Sequence, residues 1–378
     1  MGFRKQQVLR TVFISIVCDC KRLPTILQVP ISRFPLRSWL LNTDNHLRFL
    51  IGANITIVVI AAILSGGTFL SGDNFQSMGT QLPEVGLLAL AIMITMLSGN
   101  GGIDLSVVAV ANLSAIIAGK ISQSLFNADT QGLEFAFFFP ILAVLAGLTC
   151  GLVNGMLVAF GNFTPILATL GTQLVFGGIA VVLTNGSALS LGYIDAFVQI
   201  GNGQILGIPI PFIIFLMIAG VLGWLFTNTR YGFRLYLTGT NAKAAHFAGI
   251  NNRNILLLTY TIAGVLASLS GIVSASRASS AKADYGSSYL LIAILISVMG
   301  GINPAGGSGK VFGLVLASFA LQMLSSTLNL IGLSNFLKDF TWGLLLLLTI
   351  ALTSSTWAGS AATSAFNFFK PKKEVKAT

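Results

Sequence analysis

Long apolar segments separated by short polar ones dominate this chain. A transmembrane helix needs about 20 mostly apolar residues, whereas a membrane barrel would show short alternating segments. The pattern therefore predicts an all-α polytopic membrane bundle with about ten transmembrane helices, of which the second and eighth are short. Their expected bounds are Phe49–Leu70, Val85–Gly99, Leu105–Ile121, Phe135–Phe160, Pro165–Thr184, Ile208–Phe226, Ile255–Ala275, Ser288–Met299, Val311–Leu330 and Phe340–Leu352.

Composition agrees with this fold class. Hydrophobic residues make up 54% of the 378 residues and charged residues only 8%, whereas soluble domains contain about 25% charged residues. Such a composition excludes a soluble domain and a disordered chain. With two histidines and three cysteines, the chain is poor in the usual ligands and nucleophiles. We therefore expect no catalytic site, no metal and no cofactor.

The basic residues are concentrated on one side of the predicted bundle. With an even number of spans, 17 of the 21 lysines and arginines fall on the same side, which the positive-inside rule makes cytoplasmic. We therefore expect a basic cytoplasmic segment over 1–48, a membrane domain over 49–357 with a cytoplasmic loop over 228–254, and a basic cytoplasmic tail over 358–378. Since topology accounts for the net charge of +10, no nucleic-acid partner is expected.

The sequence also bears on the energy source of a transporter. The segment Gly306–Lys310 resembles a phosphate-binding loop, but Pro304 and Val311 stand where that motif needs glycine and serine or threonine. Among the ionisable residues, only Asp104 is expected near the membrane interior. Proton-coupled carriers usually keep such groups at mid-membrane, so the pattern argues against a proton-coupled carrier.

Asp104 follows consecutive glycines at 101 and 102 between two predicted spans. Glycines allow a tight turn, and an aspartate directly before a helix start at Leu105 is typical of an N-cap. The carboxylate then stabilises the positive end of that helix. Contact with a polar substrate is the alternative interpretation.

The loop 228–254 contains four basic residues, Arg230, Arg234, Lys243 and Arg253, and no acidic residue. Within it, the segment 241–250 predicts a short helix with Asn241 as its N-cap and Gly249 as its C-terminal glycine. The face predicted to be small and mildly apolar suits docking into a groove of a partner protein; a solvated connecting helix is the alternative. That face consists of Ala244, Ala245, Phe247 and Ala248.

The fourth predicted span carries Gly147, Gly151 and Gly155, spaced by four residues. Such a ridge of small residues predicts close helix packing. Asn154 then either bonds to a neighbouring helix or faces a pathway.

Taken together and in this order, these segments resemble the permease family of bacterial ABC importers for ribose, xylose, galactose and related sugars. The resemblance extends from about Leu87 to Gly343. It is carried by Gly101-Gly102-Ile103-Asp104-Leu105-Ser106, Leu152-Val153-Asn154-Gly155, Thr164-Pro165, Ala168-Thr169-Leu170-Gly171-Thr172, Leu183-Thr184-Asn185-Gly186, Arg230-Tyr231-Gly232, Leu235-Tyr236, Gly239, Asn241, Ala244-Ala245, Gly249-Ile250, Gly300-Gly301, Gly306-Gly307 and Gly309.

The resemblance implies a permease subunit of the bacterial inner membrane, and the charge distribution predicts that both termini are cytoplasmic. It implies three protein partners: an ATPase subunit, a second permease subunit that is either a copy or a paralogue, and a periplasmic binding protein that delivers a monosaccharide. The residues it assigns to ATPase coupling are Arg230, Gly232, Arg234, Gly239, Asn241, Ala244, Ala245, Gly249 and Ile250.

A weakly polar pathway suits a sugar, because neutral groups bond hydroxyls without trapping a charge. Candidate pathway residues are Asp104, Asn154, Thr169, Thr172 and Gln173, although helix packing explains the neutral ones equally well. Permeases for branched-chain amino acids, nucleosides or a sugar-like signal remain alternatives, as does a stand-alone carrier or channel.

Overall fold

The computed structural model describes residues 45–126, 131–334 and 337–349. The predicted tail 358–378 lies outside these residues, as does the predicted N-terminal segment up to residue 44. Within the described residues, the chain forms a helical bundle with two short antiparallel ribbons, which agrees with the all-α prediction.

The helices are numbered here in chain order. They are α1 (Asn45–Leu64), α2 (Gly72–Leu97), α3 (Val107–Leu125), α4 (Gly132–Ala159), α5 (Pro165–Thr184), α6 (Asp195–Asn202), α7 (Ile210–Asn228), α8 (Arg230–Thr240), α9 (Ala242–Phe247), α10 (Asn252–Ala278), α11 (Tyr289–Met299), α12 (Val311–Leu330) and α13 (337–349), with a 3-10 helix at Thr68–Leu70. The ribbons pair β1 (Leu189–Ser190) with β4 (Ser280–Ala281), and β2 (Gln204–Ile205) with β3 (Ile208–Pro209).

Eight helices of the described chain are long and apolar enough to cross a membrane. They are α1, α2, α3, α4, α5, α7, α10 and α12, and each overlaps one predicted span. The two remaining predicted spans correspond to α11, which has 11 residues, and to α13 over 337–349. Helix α11 is shorter than the length of about 20 residues that a single crossing needs, and α13 is described only up to residue 349.

Helix α2 begins thirteen residues before the predicted start at Val85, at Gly72. Ser71 caps it, because its side chain accepts a hydrogen bond from the amide of Asn74. Polar residues in the first half of α2 lower the local hydropathy, which hid this half from the apolar pattern. The longer helix places Glu84 in the interior of the bundle, where it is 1% exposed.

This position corrects the expectation that Asp104 alone approaches the membrane interior. The Glu84 carboxylate pairs with Arg277 near the end of α10, with Arg277 Nε 2.7 Å from Glu84 Oε1. The predicted spans Val85–Gly99 and Ile255–Ala275 place both residues just outside the bilayer. A buried pair of opposite charges avoids the large free-energy penalty of a lone buried charge.

The predicted glycine ridge of α4 is confirmed, and α10 is its packing partner. A Cβ atom added at Gly147 would lie 2.5 Å from the carbonyl oxygen of Gly264, and one at Gly151 would lie 2.5 Å from that of Tyr260. At Gly155 the nearest atom is the carbonyl oxygen of Leu257, at 2.9 Å. The two backbones therefore approach as closely as small residues permit.

The loops separate into two ends of the bundle. We call the end that carries α8 and α9 the basic end, because Arg230, Arg234, Lys243 and Arg253 are exposed there. The connections 98–106, 160–164 and 300–310 contribute residues to a cavity or to close contacts at the same end. The opposite end, called the ribbon end, carries α6 and both ribbons.

Candidate coupling loop and substrate pathway

The connection between α7 and α10 folds into two helices, α8 and α9. The hydroxyl of Thr229 accepts from the amide of Gly232 and so caps α8. Asn241 Oδ1 accepts from the amide of Ala244 at 3.0 Å and caps α9, as predicted. At the other end of α9, Gly249 has a positive φ of 80°, a conformation that glycine adopts without strain.

The side chains of α9 divide into an inner and an outer group. Ala245 is 3% exposed and packs against the protein, so its methyl group supports the helix and does not belong to the outer surface. Ala244, Phe247 and Ala248 are exposed, and the ring of Phe247 is 89% exposed. Large exposed aromatic side chains are frequent anchors of protein interfaces.

Two tyrosines fix α8 to the bundle. The hydroxyl groups of Tyr231 and Thr259 on α10 form a hydrogen bond at 2.9 Å. Tyr236 donates a hydrogen bond to the carbonyl oxygen of Gly309 at 2.7 Å. Burial raises the pKa of both tyrosines above the ordinary value, so each stays neutral and available as a donor at physiological pH.

Glycines join the connection between α7 and α10, which we call the coupling loop, to two other segments. A Cβ atom at Gly239, near the end of α8, would overlap the carbonyl oxygen of Leu97 at the end of α2. One at Gly306 would overlap Gly99, and one at Gly307 would overlap Thr240. The amide of Gly307 also donates to the carbonyl oxygen of Leu97 at 3.2 Å. We call this meeting point of α8, the end of α2 and the 300–310 connection the glycine junction.

Asp104 lies in the connection between α2 and α3 and is 1% exposed. Its Oδ1 accepts from the amide of Ser106 at 2.9 Å and from the Ser106 hydroxyl at 2.7 Å. Asn154 on α4 donates from Nδ2 to the same hydroxyl oxygen at 2.7 Å. Burial raises the pKa of Asp104, and the hydrogen bonds from Ser106 and Asn154 oppose that rise.

The predicted N-cap at Asp104 is therefore wrong in its position. Helix α3 begins at Val107, with Ser106 as the preceding residue, two residues later than the predicted start at Leu105. Because Asp104 bonds to the amide of Ser106 and not to an amide inside α3, its carboxylate stabilises the turn before the helix. The glycines at 99 and 101 both have positive φ angles in this turn.

Thr169 on α5 ties the same turn to a third helix. Its hydroxyl accepts from the amide of Leu105 at 3.1 Å and donates to the carbonyl oxygen of Pro165 at 2.9 Å. Thr172 is 6% exposed and bonds to the carbonyl oxygen of Thr169, whereas Gln173 is half-buried.

Four of the five candidate pathway residues, Asp104, Asn154, Thr169 and Thr172, are therefore buried in the described chain. Three of these four form one hydrogen-bonded network around the turn 103–106. Contact with a transported solute stays a prediction for all five.

Polar residues that the sequence did not single out line a cavity between α2, α10, α11, α12 and α13. Gln81, Arg277, Tyr289, Gln322 and Trp342 are among its walls. The signal that could have found them is the run of polar residues before Val85. In a helix that continues into a membrane span, such a run indicates an interior polar site and not a loop.

The comparisons with known proteins agree with this architecture. The chain matches the family described as "Branched-chain amino acid transport system / permease component" over residues 74–350. It is 34% identical over 302 residues to the ribose import permease protein of Bacillus subtilis (strain 168), which covers 78% of this chain and 89% of that protein. It is 31% identical over 322 residues to the ribose import permease protein of Escherichia coli (strain K12), with coverage of 84% and 95%.

A third relative is the autoinducer 2 import system permease protein of Photorhabdus temperata. Identity is 34% over 272 residues, which covers 70% of this chain and 78% of that protein. No solved structure matches the chain significantly.

The eight candidate spans and the permease relatives together identify a multi-pass permease of the inner membrane. Since the family match covers most of the chain, the protein belongs to the family of permease components of ABC importers. The predicted resemblance is confirmed.

Proposed function

We propose that the chain forms the translocation pathway of an ABC importer for a monosaccharide of the ribose type. Two relatives that cover 78% and 84% of the chain are named as ribose import permeases. A sugar-like signal is the second candidate, because relatives covering 70% of the chain are named as autoinducer 2 permeases. The description of the matched family names branched-chain amino acids. An amino acid is therefore the third class of solute to test.

The observation that carries the proposal is the connection between α9 and the glycine junction. Helix α9 is capped, exposed and carries the protruding ring of Phe247. A short rigid helix of this kind suits insertion into a groove of another protein. Through α8 and Gly239, any movement of α9 is transmitted to the end of α2 and to the 300–310 connection, because no space separates them.

The ATPase on a separate chain is the proposed partner of α9. Ala244 and Phe247 contact it directly, and Arg230 and Arg234 provide an exposed basic face on α8. Gly232, Gly239, Asn241, Ala245, Gly249 and Ile250 shape the loop that presents this surface.

The remaining architecture follows the charge distribution. The basic end faces the cytoplasm, as do the basic segments 1–48 and 358–378, so both termini are cytoplasmic. A second permease subunit, identical or paralogous, completes the pathway within the domain 49–357, and a periplasmic binding protein delivers the solute to the ribbon end.

The test is co-expression of the chain with the ATPase and the binding protein of its system. We expect Phe247→Glu to abolish co-purification of the ATPase and ATP-dependent uptake of ribose, since a charge replaces the apolar anchor. Leu206→Glu is the matched control, because Leu206 is 99% exposed at the ribbon end and should leave ATPase co-purification unchanged. Full ATPase binding by Phe247→Glu would contradict the docking role of α9.

A further inference from the structure

The cavity between α2, α10, α11, α12 and α13 has a more polar lining than the cavity next to it. The neighbouring cavity is lined mainly by apolar groups such as Phe75, Phe212 and Phe319. Gln322 lines both cavities, and only the first also contains Gln81, Ser318 and Arg277. Polar groups inside a membrane bundle are unfavourable unless they have partners or a function, so this concentration needs an explanation.

Two of the residues that line this cavity, Arg277 and Tyr289, contact the buried carboxylate of Glu84. Arg277 Nε lies 2.7 Å from Glu84 Oε1, and Nη2 lies 3.1 Å from Glu84 Oε2 and 3.1 Å from the hydroxyl of Tyr285. Tyr289 donates to Glu84 Oε2 at 3.4 Å. These contacts do not involve Nη1 of Arg277, and a guanidinium group carries donors on all three nitrogens.

This arrangement favours a neutral solute over a zwitterionic one. An amino acid bound by Arg277 and Glu84 would have to separate two charges that already neutralise each other, which is unfavourable in a low-dielectric interior. A hydroxyl group bonds to the remaining donors without breaking the pair.

Amides and an aromatic ring complete a surface suited to a sugar. Gln322 Nε2 lies 3.4 Å from Gln81 Oε1, a long contact that leaves both amides able to bond hydroxyl groups. On α12, Ser318, Gln322 and Ser325 follow a spacing of four and three residues and line the same cavity, so they share one helix face. Trp342 is 7% exposed and contributes an apolar ring face.

Three of the five helices that form the cavity, α2, α11 and α12, are connected to the glycine junction. Helix α2 ends there at Leu97, and α11 and α12 are joined by the connection that carries Gly306, Gly307 and Gly309. A displacement of α8 therefore shifts three walls of the cavity at once. The cavity is about 110 Å³, smaller than the ~150 Å³ that admits benzene in an engineered protein. A monosaccharide therefore fits only if the walls of the cavity separate.

We infer that this cavity is the intramembrane binding site for a neutral polyhydroxylated solute, with Gln81, Gln322 and Arg277 as hydrogen-bonding groups and Trp342 as the apolar wall. The inference rests on the proposed function for the solute class, and it adds the location and the residues. It places the site away from the network around Asp104.

The test uses the complete importer in proteoliposomes, with the ATPase and binding protein present and radiolabelled D-ribose as the probe. We expect Gln81→Leu to lower the ribose transported per ATP hydrolysed about tenfold, as expected for loss of hydrogen bonding to the solute, while ATP hydrolysis continues. Gln76→Leu is the matched control, because Gln76 lies on the same helix at the apolar cavity and bonds to Gln204. Gln76→Leu should change neither the ribose transported per ATP hydrolysed nor the rate of ATP hydrolysis.

The outcomes separate the inference from the proposed function. If the unmodified importer hydrolyses ATP but transports leucine and not ribose, the proposed solute class and the inferred site chemistry are both wrong. If it transports ribose and Gln81→Leu transports as much per ATP as Gln76→Leu, the inferred site is wrong and the proposed function stands.

A second measurement avoids reliance on a variant that fails to fold. Ser325→Cys introduces a thiol of similar size at the cavity, in a chain whose native cysteines are replaced by serine. We expect D-ribose to slow alkylation of this thiol during ATP turnover, and leucine to leave the rate unchanged. Equal rates with and without ribose would overturn the inference.

Discussion

Gly239 determines how the coupling loop is connected to the rest of the chain. Its Cα approaches the backbone of Leu97 and of Gly307 so closely that no side chain fits. The requirement is therefore steric and comes from two segments that are distant in sequence. The resemblance to known permeases included Gly239 among its motifs, but only the packing gives the physical reason.

We expect Gly239→Ala to destabilise the protein and to uncouple ATP hydrolysis from transport. The added methyl group would overlap the Leu97 carbonyl oxygen, and forcing extra carbon into packed structure typically costs about 1–3 kcal/mol. Thermal unfolding in detergent and uptake per ATP would measure the two effects. Gly171→Ala is the control, because nothing lies within 4 Å of a Cβ atom there; an equal loss for both variants would contradict the steric explanation.

Among the helices, predictability followed the contrast between apolar and polar residues. The bounds of α5 and α12 agree with the prediction, since Pro165 and Lys310 mark sharp starts of apolar runs. The start of α2 was missed because its first half is polar, and the ion pair of Glu84 was missed with it. Side-chain contacts between distant segments, such as Asn154 with Ser106, leave no trace in the spacing of residues.

The short helix α9 depends on its cap more than longer helices do. We expect Asn241→Ala to fray α9, because the amide of Ala244 loses its partner and loss of an N-cap typically costs about 1 kcal/mol. Hydrogen exchange at Ala244 should accelerate, and ATPase co-purification should weaken. Asn241→Ser keeps a capping oxygen and should restore most of the protection from exchange at Ala244 and most of the ATPase co-purification. Unchanged hydrogen exchange in Asn241→Ala would show that the cap does not stabilise α9.

In the bundle as a whole, a few rigid helices connect the exposed helix α9 with the polar cavity. Helix α2 extends from the ribbon end to the glycine junction, and its middle third carries one wall of the polar cavity. Tight packing of α4 against α10 provides a fixed body beside it. We propose that a load applied at α9 is transmitted to the cavity walls, because packed helices shift as units and do not deform continuously.

This transmission requires the basic end to face the ATP-containing compartment, which the charge distribution predicts and which labelling can test. Lys243→Cys and Leu206→Cys place thiols on exposed residues at opposite ends, in a chain with Cys18 and Cys20 replaced by serine; Cys150 is buried and provides the background. We expect a membrane-impermeant maleimide to label Leu206→Cys in right-side-out vesicles and Lys243→Cys in inverted ones. The opposite pattern would place α9 outside the cell, beyond the reach of an ATPase, and the proposed coupling would fail.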